Sequence, residues 1–588
     1  MSRLDDRLNA LSSQKRQLVD LLLKREQSVA VDSYVAPEGE LEQTLADIWR
    51  DVLGLKQVGA QDNFIALGGD SIRAIQISAR ARKQELVFSA DQCFRQPTIR
   101  QLAAFLSQSS APFGGLPPIR AGQDGGLLSY GEERMWLEHQ LRPDVPIYNT
   151  FMAVRIDGAL QVDALRDAIG ILMKRHDTMR TAYRREGDTV RRVVLDDVQP
   201  ELALLSMDAS AAAPEDALLQ QLAMQETQKP FDLAAAPLFR CSLASIAGAP
   251  RYLILTAHHI ICDAWSMALL LVELTRVYET LINRLPSPLM PLPVSYADFA
   301  GWQRELVGSG RLAEQLAYWR ENLQAAPRLH ALPLRQPRPQ LRSYRGRAHF
   351  FEVSQHTVDA IDEFAKKHGI TRYIACLAAY CLVLYGYSRQ RDLLIGTPVL
   401  GRALEETQQL VGFFLNTLVL RVACDPLLNV TSLVEHVSAV AADALRNQDM
   451  PYDQVLRTLD IERNPAHSPL FQLWFVMQAG KAGTLHSADV AFTPVELDRA
   501  TSTFDLALSL QESDIGLNGW LEYDTDLFDS AFVDSFLARY RLVLDALPHA
   551  EQAIGELLAE MDAQDAQTGQ QRRDAWRQRL KHIGHEQA

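Results

Sequence analysis

Apolar positions along this chain form helical stripes in some stretches and continuous strand-like runs in others. Leu41, Leu45, Ile48, Trp49, Val52 and Leu53 share one face of an amphipathic helix. Ile72, Ile75 and Ala79 repeat that spacing, and Pro97-Thr98 opens a last helix carrying Ile99, Leu102 and Phe105. Residues 35–108 are therefore predicted to fold as a small all-α, four-helix bundle. Farther along, runs such as Tyr252–Ala257 alternate with helices such as Trp265–Ile282, which predicts α/β layers. The longest apolar run, Tyr373–Tyr387, is shorter than the roughly 18 residues a spanning helix needs. It predicts a buried core helix and no membrane segment.

Breaks in the pattern mark the joints. Residues 109–126 hold two glycine pairs and three prolines, a linker composition. Residues 332–347 place Pro333, Pro337 and Pro339 among five arginines, which suits a solvated crossing between two lobes. The expected organisation is a helical lead over 1–34, the bundle over 35–108, the linker over 109–126 and a large unit over 127–555. Its lobes are expected at about 127–331 and 348–555, followed by a tail over 556–588. A chain of 588 residues is long enough for three or four folding units. The net charge of −14 argues against a general nucleic-acid binder. Six cysteines without a CxxC pair are no disulfide framework, and a polar N-terminus does not read as a secretory signal. A reduced cytoplasmic setting is expected.

Two short segments carry chemistry. Ser71, in Leu67-Gly68-Gly69-Asp70-Ser71-Ile72, follows a glycine turn at the mouth of a helix. No histidine lies nearby to activate it, and a helix N-cap is the plain alternative. The strand ending at Ala257 runs into His258-His259-Ile260-Ile261-Cys262-Asp263. Adjacent residues of a strand point to opposite faces, so one imidazole can meet a cavity while the other packs. No further ligand at helical spacing supports a metal site.

The stretch YVAPEGELEQTLADIWRDVLGL through NFIALGGDSIRAIQISARAR resembles a peptidyl carrier domain of a nonribosomal peptide synthetase. The resemblance implies that Ser71 carries 4′-phosphopantetheine, attached by a separate phosphopantetheinyl transferase. Asp70, where many carriers have histidine, resembles carriers that precede epimerisation domains. Residues 127–480 resemble a condensation domain of the same synthetases, through seven blocks in order. These are SYGEERMW from Ser129, with Glu132 in the usual glutamine position, Arg175-His176-Asp177-Thr-Met-Arg180-Thr181, HHIICDAWS from His258, and YADFAGW from Tyr296. IGTPVLGR with LVGFFLNTLVLR, then QDMPY from Gln448 and SPLFQ from Ser468, complete them. The implied fold is the two-lobed α/β architecture of chloramphenicol acetyltransferase, with a tunnel between the lobes. Two departures stand out: Ala264 replaces a glycine beside the active histidine, which could narrow the acceptor side, and His467 replaces an arginine, which could loosen an inter-lobe contact.

The implied reaction forms an amide from a carrier-tethered acyl or peptidyl thioester and an amine. His259 is the candidate base or positioner of the amine, and His258 is assigned to packing. The resemblance gives Asp263 a structural ion pair with an arginine, for which Arg175 and Arg180 are the candidates. Upstream adenylation or synthetase modules would supply the donor. The acceptor would be an aminoacyl carrier in trans, or a free amine in a releasing step. The free amine is favoured because the sequence stops after a polar tail with no thioesterase motif. A basic, amphipathic stripe at Arg572, Arg573, Trp576, Arg577, Arg579, Leu580, Lys581 and Ile583 could dock a partner. The rivals are a non-catalytic recruitment domain and a free-standing acyltransferase using coenzyme A.

Overall fold

A computed structural model describes residues 34–566 apart from 66, 70, 83, 85, 87, 89–91, 109–115, 124–125, 208–213, 247, 462–463, 479–482, 550 and 564–565. Asp70, Arg463 and the basic stripe over 572–583 therefore lie outside the described residues. The chain divides after Gly115 into two compact units.

The first unit contains helices Gly39–Leu53, Ser71–Arg82, Gln92–Arg95 and Ile99–Gln108. The stripe read from the sequence is its core: Leu45, Ile48 and Trp49 pack with Phe64, Ile77, Ile99 and Leu102. The rings of Trp49 and Phe64 lie 5.1 Å apart. Gly54 closes the first helix in the left-handed region at φ 68°, where a side chain would be strained.

The second unit is built on fourteen named strands. They are β1 (Asn149–Asp157), β2 (Thr181–Glu186), β3 (Thr189–Val194), β4 (Leu202–Met207), β5 (Phe239–Ile246), β6 (Ala249–His258) and β7 (Gly346–Ser354). The rest are β8 (Asp392–Val399), β9 (Asn416–Ala423), β10 (Leu473–Gln478), β11 (Leu485–Ser487), β12 (Val490–Val495), β13 (Leu506–Ser513) and β14 (Gly516–Asp524). One six-stranded sheet runs β11-β12-β1-β6-β5-β4, the other β7-β14-β13-β10-β8-β9, and β2-β3 is a separate hairpin. Each sheet has its own apolar core. The helix Arg372–Ser388, read from the sequence as core, is buried at every position from Ile374 to Gly386. No single described helix is long and apolar enough to cross a membrane.

The chain passes between the two cores more often than its periodicity announces. β12, late in the sequence, pairs antiparallel with β1, Ala153 opposite Val495, and so completes the first sheet. The helices Tyr296–Gly308 and Ala313–Leu323 send Tyr296, Phe299, Trp302 and Trp319 into the second core. Residues of linker composition are also held: Pro117 O accepts from the Trp302 indole at 2.8 Å, and Gln123 N donates to Asp298 at 2.9 Å. A helix over 554–563 buries Ile554, Leu557 and Met561 in the second core.

The arginine-rich crossing is not simply solvated. Arg342 is buried, its guanidinium set between Asp505 at 3.8 Å and Asp524 at 3.5 Å, and Arg338 meets Asp505 at 2.5 Å. Burial would raise the Asp505 pKa, but hydrogen bonds from His330 and Arg338 and the surrounding positive charge hold it at about 2. Charges that the sequence leaves looking free are taken up by carboxylates 163 to 182 residues away in the chain.

Candidate active site at the end of a buried strand

β6 ends at His258, and His259 begins a single 3₁₀ turn over His259–Ile261. The turn sends the two imidazoles apart. His258 is buried with its Nδ1 accepting from Ile260 N at 3.1 Å, and its ring meets those of His139, Tyr148 and Phe231. Burial, then the neighbouring His139 and His259, hold it well below the ordinary imidazole range, so it is neutral and structural.

His259 is fixed at both ends. Its backbone N–H donates to Tyr148 O at 2.7 Å, and its Nδ1 lies 2.7 Å from Cys262 O. A carbonyl only accepts, so Nδ1 carries the proton and Nε2 keeps a free lone pair. The ring stands edge-on to Phe413, with centroids 4.9 Å apart. Burial lowers its pKa, Arg499 and Arg134 push the same way, and Cys262 O and Asp263 oppose them. The residue is nevertheless partly exposed. Neighbouring Cys262 is buried, and burial pushes its thiol pKa well up, so it is no competing nucleophile.

Asp263 caps the helix Ala264–Ile282 by accepting from Ser266 N at 2.8 Å. Its ion-pair partner is Arg402, at 3.2 Å, rather than the expected Arg175 or Arg180. Those two are already occupied. Arg175 donates to Glu273 at 3.2 Å, and Arg180 holds Met173 O, Leu195 O and Asp177. Both pin the helix Val162–Arg175 and its exit, not the aspartate. Arg402 closes the segment IGTPVLGR, so the signal for it was present in a quoted motif.

The motif blocks converge on one stretch of irregular backbone, Leu410–Phe414. Leu410 and Phe414 pack in the second core while Val411 and Phe413 pack in the first, so this stretch is the seam between them. Its carbonyls need partners, because buried backbone groups left unpaired are costly. Arg402 Nη1 donates to Leu410 O at 2.8 Å, Thr178 Oγ1 to Val411 O at 3.1 Å, Ser266 Oγ to Gly412 O at 2.9 Å and the Tyr296 hydroxyl to Phe413 O at 2.7 Å. Phe414 N donates to Asp263 at 3.1 Å. Ser129 reaches the same point through its 3.0 Å contact with the Tyr296 hydroxyl. Gly412 admits no side chain, since a Cβ there would lie 2.0 Å from the Tyr296 ring. Just beyond the seam, the Asn416 amide donates to Gln448 O and Met450 O, both at 2.8 Å.

Other motif residues form the surroundings. Arg134, facing Phe413 and Tyr452, lies 3.7 Å from Asp453, whose pKa burial pushes up to about 6 against the pull of Arg134. Glu132 is buried, holding Ser129 N at 2.7 Å and the Tyr183 hydroxyl at 2.8 Å. Ala264 is exposed at the head of its helix, so its methyl group takes space from open volume rather than from packed protein. His467 contacts Ser468 O at 2.9 Å.

In the first unit, Ser71 opens the helix Ser71–Arg82. Gly68 before it adopts φ +87°, and a Cβ on Gly69 would lie 2.5 Å from the Phe64 ring, so both glycines are required for the turn. A tight turn at a helix mouth is a fitting place for a serine that carries a prosthetic arm.

Comparison with known proteins gives the family. Residues 43–106 match the phosphopantetheine attachment site family, and residues 123–568 match the condensation domain family. Malpinin synthetase of Mortierella alpina is 33% identical over 549 residues, which cover 92% of this chain and 7% of that protein. Phosphinothricin tripeptide synthetase PhsC of Streptomyces viridochromogenes is 34% identical over 72% of this chain and 39% of its own length. This chain thus spans a minor part of each. Among solved structures, the X-domain from teicoplanin biosynthesis, in complex with OxyB, superposes with a TM-score of 0.68 at 22% identity, covering 75% of this chain and 98% of that one. A four-domain nonribosomal peptide synthetase bound to AMP and glycine gives 0.67 at 23% identity, over 73% and 33%. These two superpositions show the shared fold. The chain belongs to the condensation domain family and carries a phosphopantetheine attachment domain ahead of it.

Proposed function

We propose that this protein joins an acyl or peptidyl chain, presented as a thioester, to an amine. The observation that carries the reading is the 2.7 Å contact of His259 Nδ1 with Cys262 O, which commits Nδ1 as the donor and leaves Nε2 as an acceptor on a partly exposed residue. Phosphopantetheine on Ser71, when bound, supplies the thiol that holds the acyl group. His259 Nε2 accepts a hydrogen bond from the incoming amine, orients its lone pair and takes up its proton. A C–N bond forms, the C–S bond breaks, and the proton passes to the departing sulfur. The lowered pKa keeps the imidazole neutral and ready to accept at pH 7. Retention of both His259 and Asp263 supports catalysis over a recruitment role. The partners in this reading are a phosphopantetheinyl transferase, upstream synthetase modules and an amine, either free in a releasing step or held by another carrier.

Intact-mass analysis tests the reading in two stages. Incubation with a phosphopantetheinyl transferase and coenzyme A should add one phosphopantetheine, and Ser71→Ala should gain none. The acyl-loaded protein, offered free amines and aminoacyl carriers in parallel, should lose its acyl mass to an amide product. A loaded protein that yields no amide with either acceptor contradicts the proposal.

A further inference from the structure

Among the described residues Arg499 closes no ion pair, and its guanidinium lies over the ring of Phe151. It is exposed, and among the described residues no carboxylate lies within ion-pair distance of it. Other arginines of the unit are taken up: Arg402 by Asp263, Arg342 by Asp505 and Asp524, Arg175 by Glu273.

Its place is set by a clamped segment. β12 runs antiparallel to β1 with Val495 opposite Ala153, and β1 in turn sets Asn149 opposite His258. β12 ends at Val495, and the chain from 496 to 499 is irregular backbone. The Arg499 guanidinium lies over the ring of Phe151, 5.7 Å from its centroid, two positions along β1 from Asn149, which pairs with His258 at the end of β6. The backbone on either side is tied to different parts of the molecule. Asp498 O accepts from Gln220 at 2.6 Å and Asp498 N donates to Gln220 at 3.0 Å, on the helix Glu215–Thr227 beside the first sheet. Ala500 O accepts from Gly346 N at 3.2 Å and Ser502 N donates to Tyr344 O at 3.0 Å, at the start of β7 in the second. Ala500 itself is left-handed, φ 54°, a conformation that costs an alanine energy and persists because both flanks hold it. Glu522 on β14 is bonded by Thr503 N at 3.3 Å. The positive charge of Arg499 reaches both His259, which it disfavours protonating, and Glu522, which it favours ionising.

We infer that Arg499 is a substrate-binding residue that takes a carboxylate group of a substrate beside His259. A guanidinium with no carboxylate in ion-pair contact among the described residues, placed over an aromatic ring and presented from a backbone fixed on both sides, is suited to two-pronged recognition of a planar anion. Two sources share that chemistry: the carboxylate of a free amino-acid acceptor, and an acidic group on the tethered donor chain. The acceptor source would favour release onto a free amino acid, since an acceptor held on a carrier has its carboxyl in a thioester. The inference rests on the amide-forming reading of the same site.

The test is a selectivity measurement on the full chain. In the acceptor arm, acyl-loaded protein is given an amino acid and the corresponding amino-acid amide. In the donor arm, carriers loaded with an acyl chain ending in a carboxylate or in its methyl ester are compared with one amine. In at least one arm the carboxylate form should be preferred in kcat/KM. Arg499→Gln should cut that preference at least tenfold, mainly through KM, Arg499→Lys should restore part of it, and Arg499→Glu should reverse it. Thermal unfolding of the variants checks that the clamp is intact. A preference unchanged by Arg499→Gln in both arms, or absent from both arms in the wild-type protein, overturns the inference. Binding of an N-acyl amino acid to the unloaded protein separates this failure from failure of the functional reading. Binding that is weakened tenfold by Arg499→Gln supports the carboxylate site even if no amide is made, and binding indifferent to Arg499 contradicts it.

Discussion

Asp263 and Arg402 meet at 3.2 Å with both side chains almost wholly buried, one just after the His259 turn and the other 139 residues along the chain. The pair does more than neutralise charge. Asp263 also caps a helix and accepts from Phe414 N, while Arg402 donates to Ser266 Oγ at 2.7 Å and to Leu410 O. Together they bind the His259 turn to the seam.

Removing one partner leaves the other buried without compensation. Asp263→Ala and Arg402→Ala should each lose about 3–5 kcal/mol in denaturant unfolding. The double variant should lose clearly less than the sum, because the second truncation removes the charge that the first left unpaired. Additive losses would mean that the two side chains act independently. Activity lost in either variant reports on the seam and not on proton transfer.

The pH profile should be flat above about pH 6.5, the ordinary imidazole value. Burial lowers the His259 pKa, so the neutral form persists to lower pH, and the rate should fall only as acid reaches that lowered value. Asp453, beside Arg134 and pushed by burial up to about 6, also takes up a proton on acidification. Asp453→Asn should therefore keep the fall that belongs to His259. A rate that rises on acidification from pH 7 to 5 would contradict a neutral imidazole.

Asp505 makes an acid-dependent contribution to stability. Its folded pKa of about 2 lies below the ordinary 3.8, so the contribution is present above pH 3.8 and disappears as pH falls to about 2. The size is about 2 kcal/mol. Unfolding followed between pH 5 and 2 should show this loss in the wild-type protein and a shallower slope in Asp505→Asn. Equal slopes would assign the acid sensitivity elsewhere.

Much of this was legible in the sequence because it is local. The stripe from Leu41 to Leu53 becomes the helix Gly39–Leu53, and the run ending at Ala257 becomes β6. The turn at His258 and His259 separates the two rings, as alternation at a strand end suggests. What periodicity does not carry is pairing across long separations. Arg402 stood in a recognised motif, but nothing local says that it reaches Asp263 rather than leaving that task to Arg175. The arginines at 338 and 342 look like a solvated loop until β13 and β14 place Asp505 and Asp524 against them. The passage of β12 into the first sheet is likewise a tertiary choice, since an isolated strand of six residues bears no mark of its partner.

The central claim is that the His259 imidazole handles the amine proton. The most direct measurement is single-turnover amide formation by His259→Ala, loaded on Ser71 with the same acyl group and compared with wild type at pH 7. The account predicts a rate lower by about 10²–10⁴-fold, with phosphopantetheine loading and thermal unfolding unchanged. Amide formed at near the wild-type rate by a fully loaded, folded His259→Ala protein would contradict it.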